Sequence, residues 1–469
     1  MLSGLSGVNF SDSLQGTTPS EILPVEEFPF RIPAKRAPAR PPEPPDPSQK
    51  RRLALAAGFS LLWTIFTLFA QFSGVLDEIE EPLIDWRQSL VSYPAHPSDQ
   101  LALIAIDKIP ADKPWPWSRL DYSLILRSLI DYAPQSVVFE MNLNDRDTDY
   151  SSFDSTFSHV VERANIVVFA ATVLSPPSPL PVPPQVKTLP FRGDIRAVPR
   201  FGSAIWPLST FAGDSPVGAN NVEAEPGLYL RRLPMVFMLG NKLIPSLVLQ
   251  AAAQYLGADL SSSGVILGRA IFLRRHDGRL LRTLPIDDQG RLRIRYRPGA
   301  ATSWQASFDN VLVYDDQIQN GIPPGQNLRL LENRQVWIGR TDPAERERFN
   351  TAIGQLSRVE IELQAMRTIL EQDYVRPLPP MILAALYLLA SIGGIAAVIR
   401  LGPVHAAALL LIASSFWIES SLLAFQLYNV ILPLLSFLML LGGTYIMGLL
   451  AFFWDLEPEI DRRQLPLEL

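Results

Sequence analysis

Residues 101–149 read LALIAIDKIPADKPWPWSRLDYSLILRSLIDYAPQSVVFEMNLNDRDTD, and their pattern decides the fold class. Leu101–Ile106 is apolar throughout, as a strand buried on both faces must be. A corner follows with Trp115, Pro116 and Trp117. Asp121 is placed to cap a helix reaching about Tyr132, with Pro134 as its stop. Leu126, Leu129, Ile130 and Ala133 fall on one face of that helix. Ser136–Leu143 reads as a second strand. A second amphipathic helix begins at Asp154, with Phe157, Val160, Val161 and Ala164 on one side, and Ile166–Val173 reads as a third strand. This β-α-β-α-β order implies a parallel sheet with right-handed crossovers.

The rest of the chain is more apolar than a water-soluble protein needs. Of 469 residues, 48% are hydrophobic and only 19% charged. The net charge of −6 gives no reason to expect nucleic acid as a partner. With no cysteine, disulfides and thiolate chemistry are excluded. Four runs match the roughly 20 residues a helix needs to cross a bilayer: Leu53–Phe72, Met381–Ile399, 404–424 and 430–453. Lys50, Arg51 and Arg52 precede the first run, and Asp77, Glu78, Glu80 and Glu81 follow it. Arg400 lies after the second run, and Arg462 and Arg463 after the fourth. The positive-inside rule then puts both termini in the cytoplasm and the large middle segment outside.

The expected organisation follows. Residues 1–49 hold ten prolines and read as a disordered cytoplasmic tail. Residues 50–74 form a membrane helix, and 75–376 an extracytoplasmic α/β domain with a parallel core and antiparallel additions. Residues 381–399, 404–424 and 430–453 are three further membrane helices, and 454–469 a short cytoplasmic tail. Within the domain, Pro245 opens a helix to Leu256. Short strands with turns at HDG and DDQG fill Arg269–Arg297, Gln335–Gly339 is a buried strand, and Arg358–Gln372 is a helix leading through VRPLPP into the second membrane helix.

Several motifs together resemble the second type of CHASE domain, the cyclases/histidine-kinases associated sensory extracellular family. They are Asp107, Trp115, Pro116, Trp117, Arg119 and Val137–Phe139; VGANNVEAEPGLYLRRLPM with Asn221, Arg231 and Arg232; IPSLVLQAAAQYL; VWIGRTDP; and RVEIELQA with Val359, Glu360, Ile361 and Gln364. The resemblance covers about residues 75–455. It implies an extracytoplasmic α/β sensor domain with one membrane helix before it and three after. The chain departs from the family pattern at Glu140, where Asp is usual, at Glu362, where His is usual, and at Lys113, near a turn that tends to carry glycine. The sixteen residues after Phe453 are too few for a catalytic domain, so the output is expected to lie in a separate protein.

Ligands of parallel sheets sit beyond the strand C-termini. The candidate ligand-binding residues are therefore Asp107, Trp115, Trp117, Glu140 and Asp145, suited to a cation, an amine or a sugar-like molecule; the competing reading makes the tryptophans a lid on the core. NDRDTD competes between a calcium site and a solvated loop. RLRIRYR, with Arg291, Arg293, Arg295 and Arg297 on one face, competes between an anion-binding surface and an exposed sheet face. Glu419, inside the third membrane helix, marks a helix or partner contact or else snorkels. No catalytic constellation, metal-ligand spacing or cofactor motif is present, so no enzyme activity, metal or cofactor is expected. The expectation is a sensor in the inner membrane of a bacterium, in contact with the lipid bilayer, relaying to an unidentified signalling partner, with self-association open. The alternative is a non-sensing accessory subunit or scaffold of a membrane complex.

Overall fold

The computed structural model of the protein describes residues 47–90, 97–113, 115–147, 150–175, 182–183, 186–223, 229–345 and 347–454. Most of the expected tails, much of the Pro-rich loop after the third expected strand and most of the EAEPG turn lie outside these residues. The described residues from Arg51 onward form one compact unit. Its helices are α1 (Pro47–Phe72), α2 (Asp77–Leu90), α3 (Arg119–Ile130), α4 (Ser151–Ala164), α5 (Ser209–Ala212), α6 (Leu247–Leu256), α7 (Phe308–Gln319), α8 (Arg358–Leu370), α9 (Pro380–Leu401), α10 (Pro403–Tyr428) and α11 (Leu435–Trp454).

The central sheet holds β1 (Ser98–Ile106), β2 (Ser136–Glu140), β3 (Val167–Leu174), β4 (Ser203–Ile205), β5 (Val217–Ala219), β6 (Thr302–Ser307) and β7 (Gln335–Arg340). The strand order is β6-β1-β7-β2-β3, and the far side of β3 pairs with β5 and then β4. Every pair is parallel except β3 with β4. The expected parallel core with antiparallel additions is what forms, but β7 inserts between β1 and β2. That insertion comes from about 200 residues downstream, and local periodicity carries no signal for it.

Alternation along the strands separates two cores. Leu101, Leu103, Val138, Val168 and Trp337 pack under α6 and α8. Ile104, Phe139, Phe169, Val336 and Ile338 pack under α3, α4 and α7. Helices on both faces of a parallel sheet explain why its strands read as unbroken apolar runs. At Gly339 an added Cβ would stand 2.7 Å from the Val359 Cβ, so glycine is what lets α8 approach β7. At Gly218 it would stand 2.6 Å from the Leu247 backbone, which sets the approach of α6.

Local chemistry corrects several boundaries. Ser118, not Asp121, caps α3, its hydroxyl accepting the Leu120 N–H. Pro245 ends a strand, and Ser246 caps α6 through the Leu249 N–H at 3.1 Å. Ser357 and Glu360 form a capping box at the start of α8. Val430–Ile431 is not helical; it pairs in parallel with Arg376–Pro377, so α11 starts later than expected.

Among the described residues, α1, α9, α10 and α11 include four helices long and apolar enough to cross a membrane by length and composition. They share a core of Leu383, Tyr387, Trp417, Phe437 and Leu440, with the Trp417 and Phe437 rings stacked 3.8 Å apart. α2 and α7 were not anticipated. α2 is too short and too acidic to stand out beside α1, and only tertiary contacts give it a role.

Candidate functional site

The C-terminal ends of β2, β3, β5 and β7 converge on two adjoining cavities. One, of about 440 Å³, is lined by Trp115, Glu140, Asn142, Arg340, Glu345 and Glu347, among others. The other, of about 360 Å³, is lined by Thr172, Asn220, Asn221 and Arg348, among others. Glu347 and Arg358 border both. This is where open parallel sheets place ligands, because every strand delivers its last side chain to one edge.

Glu140 is the last residue of β2 and is buried. A chain of oriented hydrogen bonds leads to it. Asn142 Nδ2 donates to Thr172 Oγ1 at 2.7 Å, Thr172 Oγ1 donates to Asn220 Oδ1 at 2.8 Å, and Asn220 Nδ2 donates to Glu140 Oε1 at 3.1 Å. Asn221 fixes the turn that carries Asn220, bonding both the N–H and the carbonyl of Val173. Arg358, in the first turn of α8, reaches Glu140 at 3.4 Å and pairs with Glu347. Arg340 is held by Asp342 at 2.7 Å, and its guanidinium lies 5.1 Å from the Trp115 ring centre.

Carboxylates outnumber the cations that answer them. Glu362, one helical turn beyond Arg358, is buried, and its Oε2 has no hydrogen-bond partner. The Oε2 of Glu345 is likewise buried and unpartnered. Burial raises the Glu140 pKa above the usual carboxylate range, with Arg358 and Asn220 opposing it. Burial, and then the Glu140 charge, hold Glu362 well above that range. Burial and the same neighbour push Glu345 up to about 7. Buried carboxyl oxygens without donors are costly unless a proton or a bound cation satisfies them. The edge is therefore chemically suited to a positively charged donor group.

Of the five residues expected at this site, Trp115 and Glu140 line the larger cavity, while Asp107, Trp117 and Asp145 do not. Asp107 accepts the Ser307 hydroxyl at 2.6 Å. Trp117 is 2% exposed, 5.0 Å from the Phe308 ring centre, with its indole N–H on the Lys113 carbonyl. Asp145 is exposed and offers its backbone carbonyl to Arg119. In NDRDTD, Asp147 accepts the Arg119 N–H and the Ser118 hydroxyl, fastening the start of α3. Asn220, Arg340, Glu345, Glu347 and Arg358 were missed. The strand-end rule would have reached Arg340; for the others the signal is spatial.

α8 connects this edge to a second polar cluster. Toward its end Thr368 Oγ1 accepts the Arg295 N–H at 3.1 Å, and Gln364 Nε2 donates to the Arg297 carbonyl. Just beyond, Asp373 accepts Arg297 and Asn429 together. Arg295 is buried, donates to Asn429 Oδ1 at 3.0 Å and sits 3.9 Å from the Phe425 ring centre at the end of α10. The face with Arg291, Arg293, Arg295 and Arg297 is thus neither an open anion site nor a bare sheet face, because Glu81, Asp373 and Asn429 from distant segments, and Asp287 close by, hold its guanidiniums. Arg293 holds Glu81, Arg231 holds Asp85 at 2.7 Å, and Arg291 holds Asp287 at 2.9 Å. Burial works against the Glu81 carboxylate, yet Arg293 and Arg232 bring it below the usual range. Glu419 is exposed on α10.

Among known proteins, the CHASE2 domain family matches residues 60–398. No curated protein and no solved structure matches the chain.

Proposed function

The chain belongs to the CHASE2 domain family, a family of sensory extracellular domains, and from that premise we propose that it is a membrane sensor for a small ligand bearing an ammonium or guanidinium group. The ligand sits at the sheet edge between Trp115, Glu140 and Glu345. Its cation satisfies carboxyl oxygens that otherwise lack donors. The protein binds and relays; it does no chemistry on the ligand. It lies in the inner membrane of a bacterium, with the α/β domain outside, both termini in the cytoplasm, and a separate protein as receiver.

The observation that carries the reading is α8. It starts in the ligand edge with Arg358 and Glu362, spans about 20 Å at 1.5 Å per residue, and ends where Arg295, Asp373 and Asn429 tie the domain to α10. A ligand that binds one setting of Arg358 better than another shifts the equilibrium by that difference in affinity, and α8 carries the shift to the apolar helices.

The test is thermal unfolding of the full chain in lipid nanodiscs against a panel of small primary amines and guanidinium compounds. At a hundredfold excess over its dissociation constant, a true ligand adds about 2.7 kcal/mol of stability. Glu345→Gln weakens that response while the protein stays folded. If no cationic compound raises the melting temperature, the ligand reading fails and the accessory-subunit alternative takes its place.

A further inference from the structure

α2 is amphipathic in the opposite sense to a helix facing water. Its charged side turns inward. Glu80 binds Arg87, Glu81 binds Arg232 and Arg293, Asp85 binds Arg231, and Gln88 accepts the Tyr296 N–H. Its outward side is apolar. Ile79 is 59% exposed and Trp86 42%, and Leu90 and the preceding Val75 are exposed as well. At 100° per residue, Val75, Ile79, Pro82, Leu83, Trp86 and Leu90 fall within about 100° of arc. Leu83, at one border of that arc, packs on the core of the apolar bundle. A soluble protein has no reason to bury three charged residues of one short helix and expose that helix's tryptophan.

Two contacts fix the level at which this face sits. Gly74, with φ of 77°, turns the chain immediately after α1, and Val75 and Ile79 just beyond it are exposed, as are Phe66, Phe69 and Phe72 just before it. Glu80 then bonds the backbone N–H groups of Leu434 and Leu435, at the start of α11. α2 therefore lies across the ends of the apolar helices on the domain side. On the reading that those helices cross a bilayer, we propose that α2 is an interfacial helix, with Ile79, Trp86 and Leu90 embedded among the outer-leaflet headgroups and upper acyl chains. Tryptophan is enriched at that depth, and apolar faces of interfacial helices sink about 5–10 Å. Such helices usually turn basic residues to lipid phosphates. Here the polar side is acidic and its partners are the arginines of the domain, which explains its direction.

The chain has no cysteine, so nitroxide labels can be placed at Ile79→Cys, Trp86→Cys, Leu90→Cys, Glu78→Cys and Phe66→Cys in the full chain. The samples are bilayers of phosphatidylcholine and phosphatidylethanolamine, probed by collision with oxygen and with a water-soluble nickel chelate. At 79, 86 and 90 the oxygen-to-nickel ratio is expected to be at least threefold above that at exposed Glu78, and below that at Phe66. Nickel access at all three equal to Glu78 overturns the proposal. Spin–spin broadening between copies at 79 and 86, with oxygen excluded, also overturns it and assigns the face to a second copy of the chain. A Phe66 label open to the nickel chelate sinks the prior reading that α1 crosses a bilayer, and the interfacial placement falls with it.

Discussion

Glu80 and Leu434 are 354 positions apart in the chain and in contact in the fold: the Glu80 carboxylate accepts the Leu434 backbone N–H at 2.8 Å and that of Leu435 at 2.9 Å. The first N–H groups of a helix have no intrahelical partner, and they carry the positive end of its dipole. A carboxylate from α2 therefore caps α11. The same carboxylate neutralises Arg87, which is fully buried. One side chain thus joins the segment after α1 to the last apolar helix.

Glu80→Ala leaves the Arg87 guanidinium buried without its counter-charge and two helix N–H groups without an acceptor. Removing one partner of a buried pair costs about 3–5 kcal/mol. The variant is expected to lose about that much in denaturant unfolding of the full chain in nanodiscs. Glu80→Gln, which retains one acceptor oxygen, is expected to lose less. Equal losses would count against the charge as the cause.

Trp117→Ala empties a packed position beside Phe308, so it is expected to destabilise the domain by about 3–5 kcal/mol. Trp115→Ala, at the cavity wall, is expected to cost less and to weaken binding of any ligand that stabilises the native chain. The check is a melting curve for each variant, with and without that ligand. The reverse order of stabilities would exchange the roles of the two indoles.

Stability is expected to fall as pH rises through the cleft carboxyls. Glu345 has a pKa of about 7 in the fold against 4.5 when unfolded, so below pH 4.5 it is protonated in both states and costs nothing. Between 4.5 and 7 the unfolded state releases its proton first, and stability drops; above 7 the full penalty is present. Glu140 and Glu362 shift the same way. After discounting for its partial exposure, Glu345→Gln should add about 1 kcal/mol at pH 8 and nothing at pH 4. An equal gain at both pH values would exclude ionisation as the cause.

Arg295→Ala removes the contacts with Asn429 and Phe425 that tie the domain to α10. The native chain is expected to unfold in one calorimetric transition, and the variant in two, with the domain melting first. A single transition in the variant would mean that the remaining links, among them Asp373–Asn429 and the pairing of Arg376–Pro377 with Val430–Ile431, suffice to couple the two parts.

Ser155 and Ser261 are exposed on the domain. Cysteines there are expected to react with a membrane-impermeant thiol reagent added to intact cells, while cysteines at Ser48 and Gln464 react only after permeabilisation. Labelling at Ser48 in sealed cells would reverse the proposed orientation.

What the sequence determined by itself is local. The unbroken apolar run Leu101–Ile106 had to be a strand buried on both faces. The alternation of strand and helix up to Val173 had to give parallel pairing, and four long apolar stretches had to be helices that cannot be buried one by one in water. Each of these follows from backbone periodicity and the hydrophobic effect within a short window. That Glu140 would stand at the sheet edge was legible for the same reason, since it ends a buried strand. Tertiary structure decided the rest. Whether Trp117 meets Phe308 or a ligand depends on α7, which starts nearly 200 residues later. Arg293 and Arg295 read as a bare charged stripe because their partners, Glu81 and Asn429, lie more than 130 positions away in opposite directions. Glu362 becomes costly only when the fold buries α8 and brings it beside Glu140. A charge carries no mark of the burial or the counter-charge it will meet, and both are set by which distant segments the fold packs against it.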